Sequence, residues 1–390
     1  MLTEGLLALA DDLSGAVETA ACLRPLGRST TVELSGPNSA PLAHNAQSVV
    51  VADLDNRALP AAEASQRARE ALREQGGRPV FIKIDSQLRG PVAAVLGAAA
   101  DRPLVVAPAL PALGRTVAGG VAHVRGVPLH LSDGWRVEGT APPRSVAEAL
   151  TPLRCRGIAL EIVRSDALAG AIAECLAAGR VPICDGETDA DLDAVVAAAP
   201  DGALLAGSGG LAAALGRTAT APVAENPHPA TGNPLLMVVG TGSPTAAEQL
   251  RLAELRGTRV LDHTGEIVPR ALAALEHGPV ALRIDPSEPI APERSRERAR
   301  GLAATAARIV EGCPSPVDLV LTGGETARLV LDALGVRSLS PVGQVHHGAV
   351  VCRTPEGTSV VTRPGSFGEA DSLARIVEHL SPAGIERLPQ

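Results

Sequence analysis

The sequence predicts an α/β protein of two domains, each a mainly parallel sheet flanked by helices. Short apolar runs alternate with Ala-rich amphipathic stretches, the pattern typical of strands and helices in parallel sheets. Hydrophobic residues make up 45% of the chain but aromatic residues only 1%, so Ala, Val, Leu and Ile must fill closely packed cores. The length of 390 residues suits two domains of ordinary size.

The apolar runs give the order of the elements. Those of the first half predict strands at Leu6–Ala10, Val49–Ala52, Val80–Ile84, Leu104–Ala107, Ile158–Val163 and Leu204–Ala206. Helical patterns lie between them at Ala61–Gln75, Leu168–Ala178 and Asp191–Ala199. Strands resume at Leu235–Val239, Arg259–Leu261, Val280–Ile284 and Leu319–Leu321, and the charge-dense Glu293–Arg300 indicates a long helix with a solvated face.

A proline-rich segment separates the two halves. Residues 218–234 contain four prolines and no hydrophobic periodicity, which indicates a linker. We therefore predict domains at 1–217 and 235–390.

Charge and composition exclude several classes of partner. The net charge of −8 argues against a general polyanion-binding surface, and the lack of aromatics argues against base stacking, so no nucleic-acid partner is expected. The six cysteines show neither C-x-x-C pairs nor metal-site spacing, which predicts buried free thiols that act as small hydrophobic residues in a reducing compartment. No basic leader or membrane-length apolar run is present, so we expect a soluble cytoplasmic protein without a membrane partner.

Lys83 is the single lysine of the chain. Lys and Arg together number 35, so 35 − 1 leaves 34 arginines. A lysine kept at the end of an apolar strand suggests a site that needs a compact ammonium group, and Asp85, Ser86 and Arg89 follow it closely. Lys83 and Arg89 could neutralise a carboxylate or phosphate while Asp85 binds hydroxyls. The alternative is a chance survivor of an arginine-rich composition.

Two further segments of the first half follow predicted strands. Asp11 and Asp12 come after the first strand, where ligands bind in open α/β sheets, and could orient a hydroxyl, accept its proton or touch a metal. Alternatively, they cap the next helix. The Pro- and Gly-punctuated segment Pro108–Gly120 offers Arg115 as an anion ligand, unless Arg115 lies on an ordinary surface turn. Gly207–Ala212 fits an anion site or a structural turn equally well.

Three glycine turns mark the second half. They are Gly240–Thr245, Thr322–Ala327 and Thr362–Gly368, and the first two run from a strand into a helix. Free backbone N–H groups at such helix starts bind anions, so three turns in one domain favour a nucleotide phosphate cradle. No G-x-x-x-x-G-K-[ST] loop is present, so this is not a Walker A site.

Taken together, these motifs resemble the four-carbon acid sugar kinases, which are ATP-dependent kinases of threonate, erythronate and 3-oxo-tetronate. Asp11–Gly15 resembles the family's A-D-D-L-T-G, and Lys83–Gly90 its K-I-D-S-T-L-R-G. Further along the first half, Pro108–Gly120 resembles the family's P-A-F-P-x-x-G-R-T-x-x-x-G, and Gly207–Ala212 resembles its G-S-x-G-L-A. In the second half, Gly240–Ser243 and Thr322–Ala327 resemble the family's nucleotide loops, and Thr362–Gly368 resembles its T-K-S-G-G-F-G.

The resemblance implies an N-terminal sugar-acid domain, a C-terminal ATP domain and an active site in the cleft between them. It implies nucleotide contacts from Ser243, Gly323, Gly324, Glu325, Thr326 and Gly365. We expect Lys83, Arg89 and Arg115 to hold the substrate carboxylate and developing phosphate charge, with Asp11 beside them. Asp12 would orient or deprotonate the hydroxyl, with Asp85 as second candidate. Mg²⁺ would bridge the ATP phosphates without dedicated protein ligands, and a homodimer is one expectation for the assembly.

The chain departs from the family pattern at three places. Gln87 replaces a Thr, Arg363–Ser366 replaces Lys-Ser-Gly-Gly, and His346–Ala349 stands where Pro-Gly-Val-Pro is usual. Two other functions therefore stay open at this stage. One is a non-catalytic sugar-acid-binding protein with a degenerate ATP site, and the other is a metal-dependent phosphatase using Asp11 and Asp12.

Overall fold

The computed structural model describes residues 5–36, 47–74, 77–132, 135, 138, 140–219, 230–285, 292–365 and 367–381. The chain divides into two compact units, Met1–Val223 and Ala224–Gln390, and each is described by itself. Most of the predicted linker, residues 220–229, lies outside the described residues, as does Ser366.

The first unit alternates strands and helices as predicted. Its strands are β1 (Leu6–Ala10), β2 (Thr30–Leu34), β3 (Val49–Asp53), β4 (Val80–Lys83), β5 (Leu104–Ala107), β6 (Arg115–Ala118), β7 (Val121–Val124), β8 (Val127–Pro128), β9 (Cys155–Ile158), β10 (Val181–Cys184) and β11 (Leu204–Gly207). Its helices are α1 (Leu13–Leu23), α2 (Ala61–Arg73), α3 (Val92–Gly97), α4 (Val146–Ala149), α5 (Leu160–Val163), α6 (Leu168–Ala177), α7 (Asp189–Ala198) and α8 (Gly209–Arg217).

Most strands of the first unit form one parallel sheet. Their order is β2-β3-β1-β4-β11-β5-β10-β9, and β1 and β3 are buried at every residue. Such fully buried strands are typical of parallel sheets that helices cover on both faces. A small antiparallel sheet, β6-β7-β8, accompanies the main sheet.

Small residues allow the close packing that the composition predicts. A Cβ added to Gly216 of α8 would lie 2.0 Å from the carbonyl oxygen of Cys22 in α1. The prediction of a strand over Ile158–Val163 is wrong, because the strand ends at Ile158 and Leu160–Val163 is a helix. An apolar run this short fits either element, and Ile158 and Val163 are its buried residues.

The second unit repeats the alternation with a mixed sheet. Its strands are β12 (Leu235–Val239), β13 (Arg259–Asp262), β14 (Val280–Arg283), β15 (Asp318–Thr322), β16 (Ser338–His346), β17 (Ala349–Arg353) and β18 (Ser359–Arg363). Its helices are α9 (Pro244–Leu255), α10 (Ile267–Leu275), α11 (Pro292–Gly312), α12 (Gly324–Ala333) and α13 (Ser372–Leu380). The order is β13-β14-β12-β15-β18-β17-β16, with β17 antiparallel to both its neighbours and the other pairs parallel.

Two expectations from composition can be compared with the structure. All six cysteines are free thiols, and Cys175, Cys184 and Cys352 are buried as predicted. The prediction of burial is wrong for Cys22, Cys155 and Cys313, which are partly exposed. Within the described part of the chain, no helix combines the length and apolar character that a bilayer crossing requires.

Candidate active site

The motifs of the first unit meet at the carboxyl edge of its sheet. In the parallel register Lys83, the last residue of β4, pairs with Ala10 of β1 on one side and with Gly207 of β11 on the other. Asp11 and Asp12 follow β1 directly, so both acidic residues and the lone lysine leave the sheet at adjacent points. Ligands of open α/β sheets bind at this edge.

Arg57 binds both adjacent carboxylates. Its guanidinium donates to Asp11 from Nε at 2.7 Å and from Nη2 at 2.9 Å. It donates to Asp12 from Nη1 at 2.7 Å and from Nη2 at 2.9 Å. One planar fork therefore fixes the orientation of two carboxyl groups, which an ammonium group could not do.

Sequence reasoning missed Arg57, although a signal was present. Arg57 follows β3, whose last residue Asp53 pairs with Ala10, so its loop leaves the same edge of the sheet. The backbone N–H of Arg57 also donates to the carbonyl oxygen of Asp11 at 3.1 Å. Examining every residue just beyond a strand next to β1 would have found it.

Burial and the ion pair between Asp11 and Arg57 have opposite effects on the pKa values of both groups. Burial raises the pKa of Asp11, with the neighbouring Asp12 charge adding to the rise and Arg57 opposing it. For Arg57, burial opposes the charged form, but Asp11 and Asp12 outweigh it and raise the pKa further. The guanidinium therefore stays charged, and Asp11 holds a proton more readily than an ordinary aspartate.

Asp12 also caps a helix. Its Oδ1 accepts a hydrogen bond from the backbone N–H of Gly15 at 2.8 Å, at the start of α1. The capping role considered from the sequence is confirmed, and the second carboxylate oxygen faces Arg57 rather than the helix. Capping and chemistry are compatible here, because they use different contacts of the same side chain.

Lys83 is almost completely buried beside Asp12. Its side chain is 5% exposed, and Nζ lies 3.5 Å from Oε2 of Glu18 and 3.3 Å from the carbonyl oxygen of Ile84. A Cβ added to Gly15 would lie 2.8 Å from Oδ1 of Asp12 and 3.1 Å from Nζ of Lys83. Only glycine at position 15 leaves room for both groups. Glu18, on α1, is a further partner that sequence reasoning missed.

Asp85 is bound tightly by its own loop. Its carboxylate accepts from Arg89 at 2.7 Å (Nε) and 2.8 Å (Nη2), and from the backbone N–H groups of Gln87 and Arg89 at 3.2 Å. Although burial opposes ionisation, the hydrogen bonds from Arg89 and the charge of Arg57 hold the pKa of Asp85 far below its ordinary value. Asp85 is thus a weak proton acceptor that fixes the shape of the loop after β4.

Arg115 is the cation of this edge that lacks an acidic partner. Its Nη1 donates to the hydroxyl of Ser86, and among the described residues no carboxylate lies within 4 Å of its guanidinium. Burial lowers its pKa, because the buried charge is only partly compensated by Asp85 and Glu18. The hairpin that carries Arg115 is fixed at its tip by Asp185, which accepts from Gly119 and Gly120 at 2.7 and 2.9 Å.

The Gly207–Ala212 turn is packed against protein backbone. The Ser208 hydroxyl donates to the carbonyl oxygen of Ala109 at 2.6 Å and accepts from the Gly210 N–H. A Cβ on Gly207 would lie 2.3 Å from the carbonyl oxygen of Ala107, and one on Gly210 would lie 2.5 Å from that of Ala109. These contacts favour the structural interpretation of this turn.

The glycine turns of the second unit also meet at one edge. The end residues Val239, Thr322 and Arg363 pair across β12, β15 and β18. A Cβ on Gly240 would lie 1.8 Å from Oγ1 of Thr326, and one on Gly365 would lie 3.2 Å from Cβ of Thr241. All six residues that are predicted to contact the nucleotide therefore lie on three turns that contact one another.

The starts of two helices face these turns. Ser243 caps α9 by accepting from the Ala246 N–H at 3.2 Å, and Gly323 precedes α12 with a positive φ of 95°. Gly242 has no atom within 4 Å of an added Cβ, so its surroundings are open. Glu325 is half-exposed, and its carboxylate lies 3.4 Å from Nε of Arg296. Backbone donors and open space at helix starts fit a phosphate group.

Arg363 is buried beneath the third glycine turn, defined here by Pro364, Gly365, Phe367 and Gly368. Its Nη1 donates to Phe367 O and Ser372 Oγ, both at 2.7 Å, and its Nη2 donates to Gln249 Oε1 at 2.6 Å. Two departures from the family pattern, Arg363 and His346, share the Ser372 hydroxyl as a hydrogen-bond partner. His346 Nε2 lies 2.8 Å from the same Ser372 hydroxyl.

The assignment of the chain follows from comparison with known proteins. A family model described as a sugar-binding N-terminal domain matches residues 6–215, and one described as a nucleotide-binding C-terminal domain matches residues 236–373. The chain belongs to the four-carbon acid sugar kinase family.

Relatives in the family carry two names. The chain is 36% identical to a D-threonate kinase of Cupriavidus necator, over 94% of this chain and 96% of that protein. It is 32% identical to a D-threonate kinase of Bordetella bronchiseptica, over 95% and 96% of the two chains. It is 30% identical to a 3-oxo-tetronate kinase of Methylobacterium radiotolerans, over 96% and 98%.

Solved structures share the fold. A Salmonella typhimurium LT2 protein matches with a TM-score of 0.79 at 23% identity, over 96% of this chain and 99% of that chain. A Haemophilus influenzae protein matches with a TM-score of 0.75 at 21% identity, over 97% and 100%. At these identities the likeness supports the α/β architecture alone.

Proposed function

We propose that this chain transfers the γ-phosphoryl group of ATP to a hydroxyl of a four-carbon sugar acid. The observation that carries the proposal is the carboxyl edge of the first sheet, which presents the carboxylate pair bound by Arg57. It also presents Arg115, which contacts Ser86 and has no carboxylate partner among the described residues. Such an edge offers a proton acceptor and a carboxylate anchor together, and the names of the relatives supply the substrate class. The expectation that both ligands meet in a cleft stays a prediction.

Arg115 is the primary anchor for the substrate carboxylate. A partly buried guanidinium without a carboxylate partner gains more from binding an anion than one that already has such a partner. Arg89 is bound to Asp85, and Lys83 lies near Glu18, so both contribute positive charge from existing pairs. The structure therefore favours Arg115 over Arg89 and Lys83 as the anchor for the substrate carboxylate, a distinction that the sequence alone did not allow.

Asp12 is the proposed base. Its side chain is 19% exposed against 10% for Asp11, so it is the more accessible of the pair. Asp85 is a poorer candidate because its hydrogen bonds to Arg89 strongly favour its ionised form. Arg57 acts as a positioning residue, since it orients both carboxylates by hydrogen bonds and neither accepts the proton nor contacts the substrate in this scheme.

The glycine turns of the second unit hold the nucleotide. The N–H groups of Gly323 and Ser243 already donate to the Arg363 carbonyl oxygen and the Thr241 hydroxyl. Backbone N–H groups around Gly324, Thr326 and Gly365 would therefore bind the phosphates, and the open space at Gly242 leaves room for them. Mg²⁺ bound to those phosphates would neutralise charge that develops during transfer. The described residues include no group of three or more His, Cys, Asp or Glu side chains arranged to hold a metal, so the ion would arrive with the nucleotide.

The two alternatives are less well supported. A metal-dependent phosphatase would need a cation on Asp11 and Asp12, but the positively charged guanidinium of Arg57 already contacts all four of their carboxylate oxygens and would repel that cation. A sugar-acid-binding protein without catalysis would need a nucleotide site that has lost its turns. The close approaches of Gly240 to Thr326 and of Gly365 to Thr241 instead keep those turns together.

Two measurements test the proposal. Coupled ADP release should appear with at least one member of a panel of both enantiomers of threonate and erythronate plus 3-oxo-tetronate, and should be absent without a sugar acid. Calorimetry with ATP and with each acid separates binding from turnover. Binding of a sugar acid without any ATP binding would leave the non-catalytic alternative, and phosphate release from a phosphorylated sugar acid without ATP would favour the phosphatase.

A further inference from the structure

The side chain of Arg363 combines deep burial with an uncompensated charge. The residue is 1% exposed, and among the described residues no carboxylate forms an ion pair with it. All its hydrogen-bond acceptors are neutral, and its Nε has no partner. Burial lowers the pKa of Arg363 to about 10, with no acidic group acting against it. Burying such a charge costs free energy unless another charge offsets it.

The position of this charge is defined by its neighbours. Nη2 of Arg363 lies 3.3 Å from the carbonyl oxygen of Gly365, and Gly365 lies against Thr241 in the first glycine turn. Gln249, which accepts from Arg363, also donates from Nε2 to the carbonyl oxygens of Phe367, Gly368 and Glu369 at 2.9–3.2 Å. The guanidinium thus lies directly under a turn that belongs to the proposed phosphate cradle.

Holding the third glycine turn in place does not by itself explain why the side chain at position 363 carries a charge. Carbonyl, hydroxyl and amide oxygens can be bound by a neutral donor, which would avoid the cost of a buried charge. A nearby anion would offset that cost. On the basis of the proposed function, we propose that Arg363 is a positioning residue whose buried guanidinium strengthens the binding of the nucleotide's phosphates through the third glycine turn.

The test compares ligands of graded charge. Dissociation constants of ATP, ADP, AMP and adenosine are measured by calorimetry for the wild type, Arg363→Gln and Arg363→Lys. In Arg363→Gln we expect a loss of about 10- to 100-fold for ATP, a smaller loss for ADP and AMP, and no change for adenosine. Arg363→Lys should recover part of the loss for ATP, because it restores the charge without the fork geometry.

If Arg363 only holds the third glycine turn in place and its charge plays no part in binding, the four ligands should respond differently. In that case all four ligands would weaken by the same factor in Arg363→Gln, and this result would overturn the proposal. Failure of the wild type to bind ATP would instead refute the proposed function. The two failures are therefore distinguishable.

A matched pair of variants covers the case in which Arg363→Gln does not fold. Ser372→Asp places a carboxylate where Arg363 now meets a hydroxyl, and Ser372→Asn adds a neutral group of the same size. Ser372→Asp should weaken ATP more than Ser372→Asn does while leaving adenosine equal in both. Equal ATP affinity in the two variants would contradict a role for the charge.

Discussion

The two candidate sites lie at the carboxyl edges of two sheets, yet they are built from different parts of the chain. The first edge is made of charged side chains. Arg57, Lys83 and Arg89 each lie close to an acid, whereas Arg115 has no carboxylate partner in the described part of the chain. The second is made of backbone, from glycine turns whose spacing depends on the absence of Cβ atoms, above one buried arginine.

The difference matches the chemistry of the proposed ligands. A small sugar acid presents one carboxylate and several hydroxyls, which only directional side chains can distinguish. Phosphate groups present many equivalent oxygens, which backbone N–H groups bind without side-chain selection. The first site should therefore be sensitive to changes of charge or head-group shape, and the second to added volume.

The largest effect is expected at Asp12. Asp12→Asn keeps a side-chain oxygen for the Gly15 N–H, but its amide cannot accept a proton, so kcat should fall by roughly 10²- to 10⁴-fold with unchanged ATP affinity. Steady-state kinetics and calorimetry measure the two quantities. Asp11→Asn is the matched control and should reduce kcat less. Near-normal kcat in Asp12→Asn would leave Asp12 with its capping role alone.

A smaller loss of catalytic efficiency is expected when the shape of the Lys83 head group is changed while its charge is kept. Lys83→Arg should lower kcat/KM by about 10- to 100-fold, because the longer planar head cannot fit between Gly15 and Glu18. The exchange Arg156→Lys, at an exposed pair with Glu174, is the control and should change little. Wild-type kinetics for Lys83→Arg would remove the lone lysine from the site.

Two glycine variants test whether the second edge holds a ligand. Gly242→Ala meets no protein atom within 4 Å, so it should leave the melting temperature unchanged and weaken ATP about tenfold by crowding the phosphates. Gly240→Ala would bring Cβ within 1.8 Å of Thr326, so it should lower stability itself, by roughly 1–3 kcal/mol. Unchanged ATP affinity in Gly242→Ala would place the nucleotide elsewhere.

The smallest effect concerns the pH dependence of stability. Because the folded-state pKa of Asp85 is depressed below its ordinary value of 3.8, its contribution is present above that pH and is lost as pH falls below it. Asp85→Asn should therefore lower the melting temperature at pH 7 by a few degrees and flatten its decline below about pH 4. Identical profiles for variant and wild type would show that the Arg89 pair contributes nothing to stability.

Much of the architecture could be predicted from the sequence. Apolar runs such as Leu6–Ala10 and Leu235–Val239 appear as strands because their length and flanking turns permit little else. The run Ile158–Val163 could not be assigned correctly, because five apolar residues interrupted by Glu161 fit either a strand or a short helix. In the structure its first residue ends a strand and its last four form a helix.

For the sites, the sequence by itself determined which segments carry charge or glycine and that they follow strands. Parallel strands expose their carboxyl ends on one edge, so Asp12 and Lys83 had to leave the sheet near each other. Only the tertiary structure decided the partners. Arg57 reached the aspartates from the loop after β3, and Arg363 turned inward beneath its turn. Side-chain direction and burial depend on contacts between distant segments, which local sequence patterns do not encode.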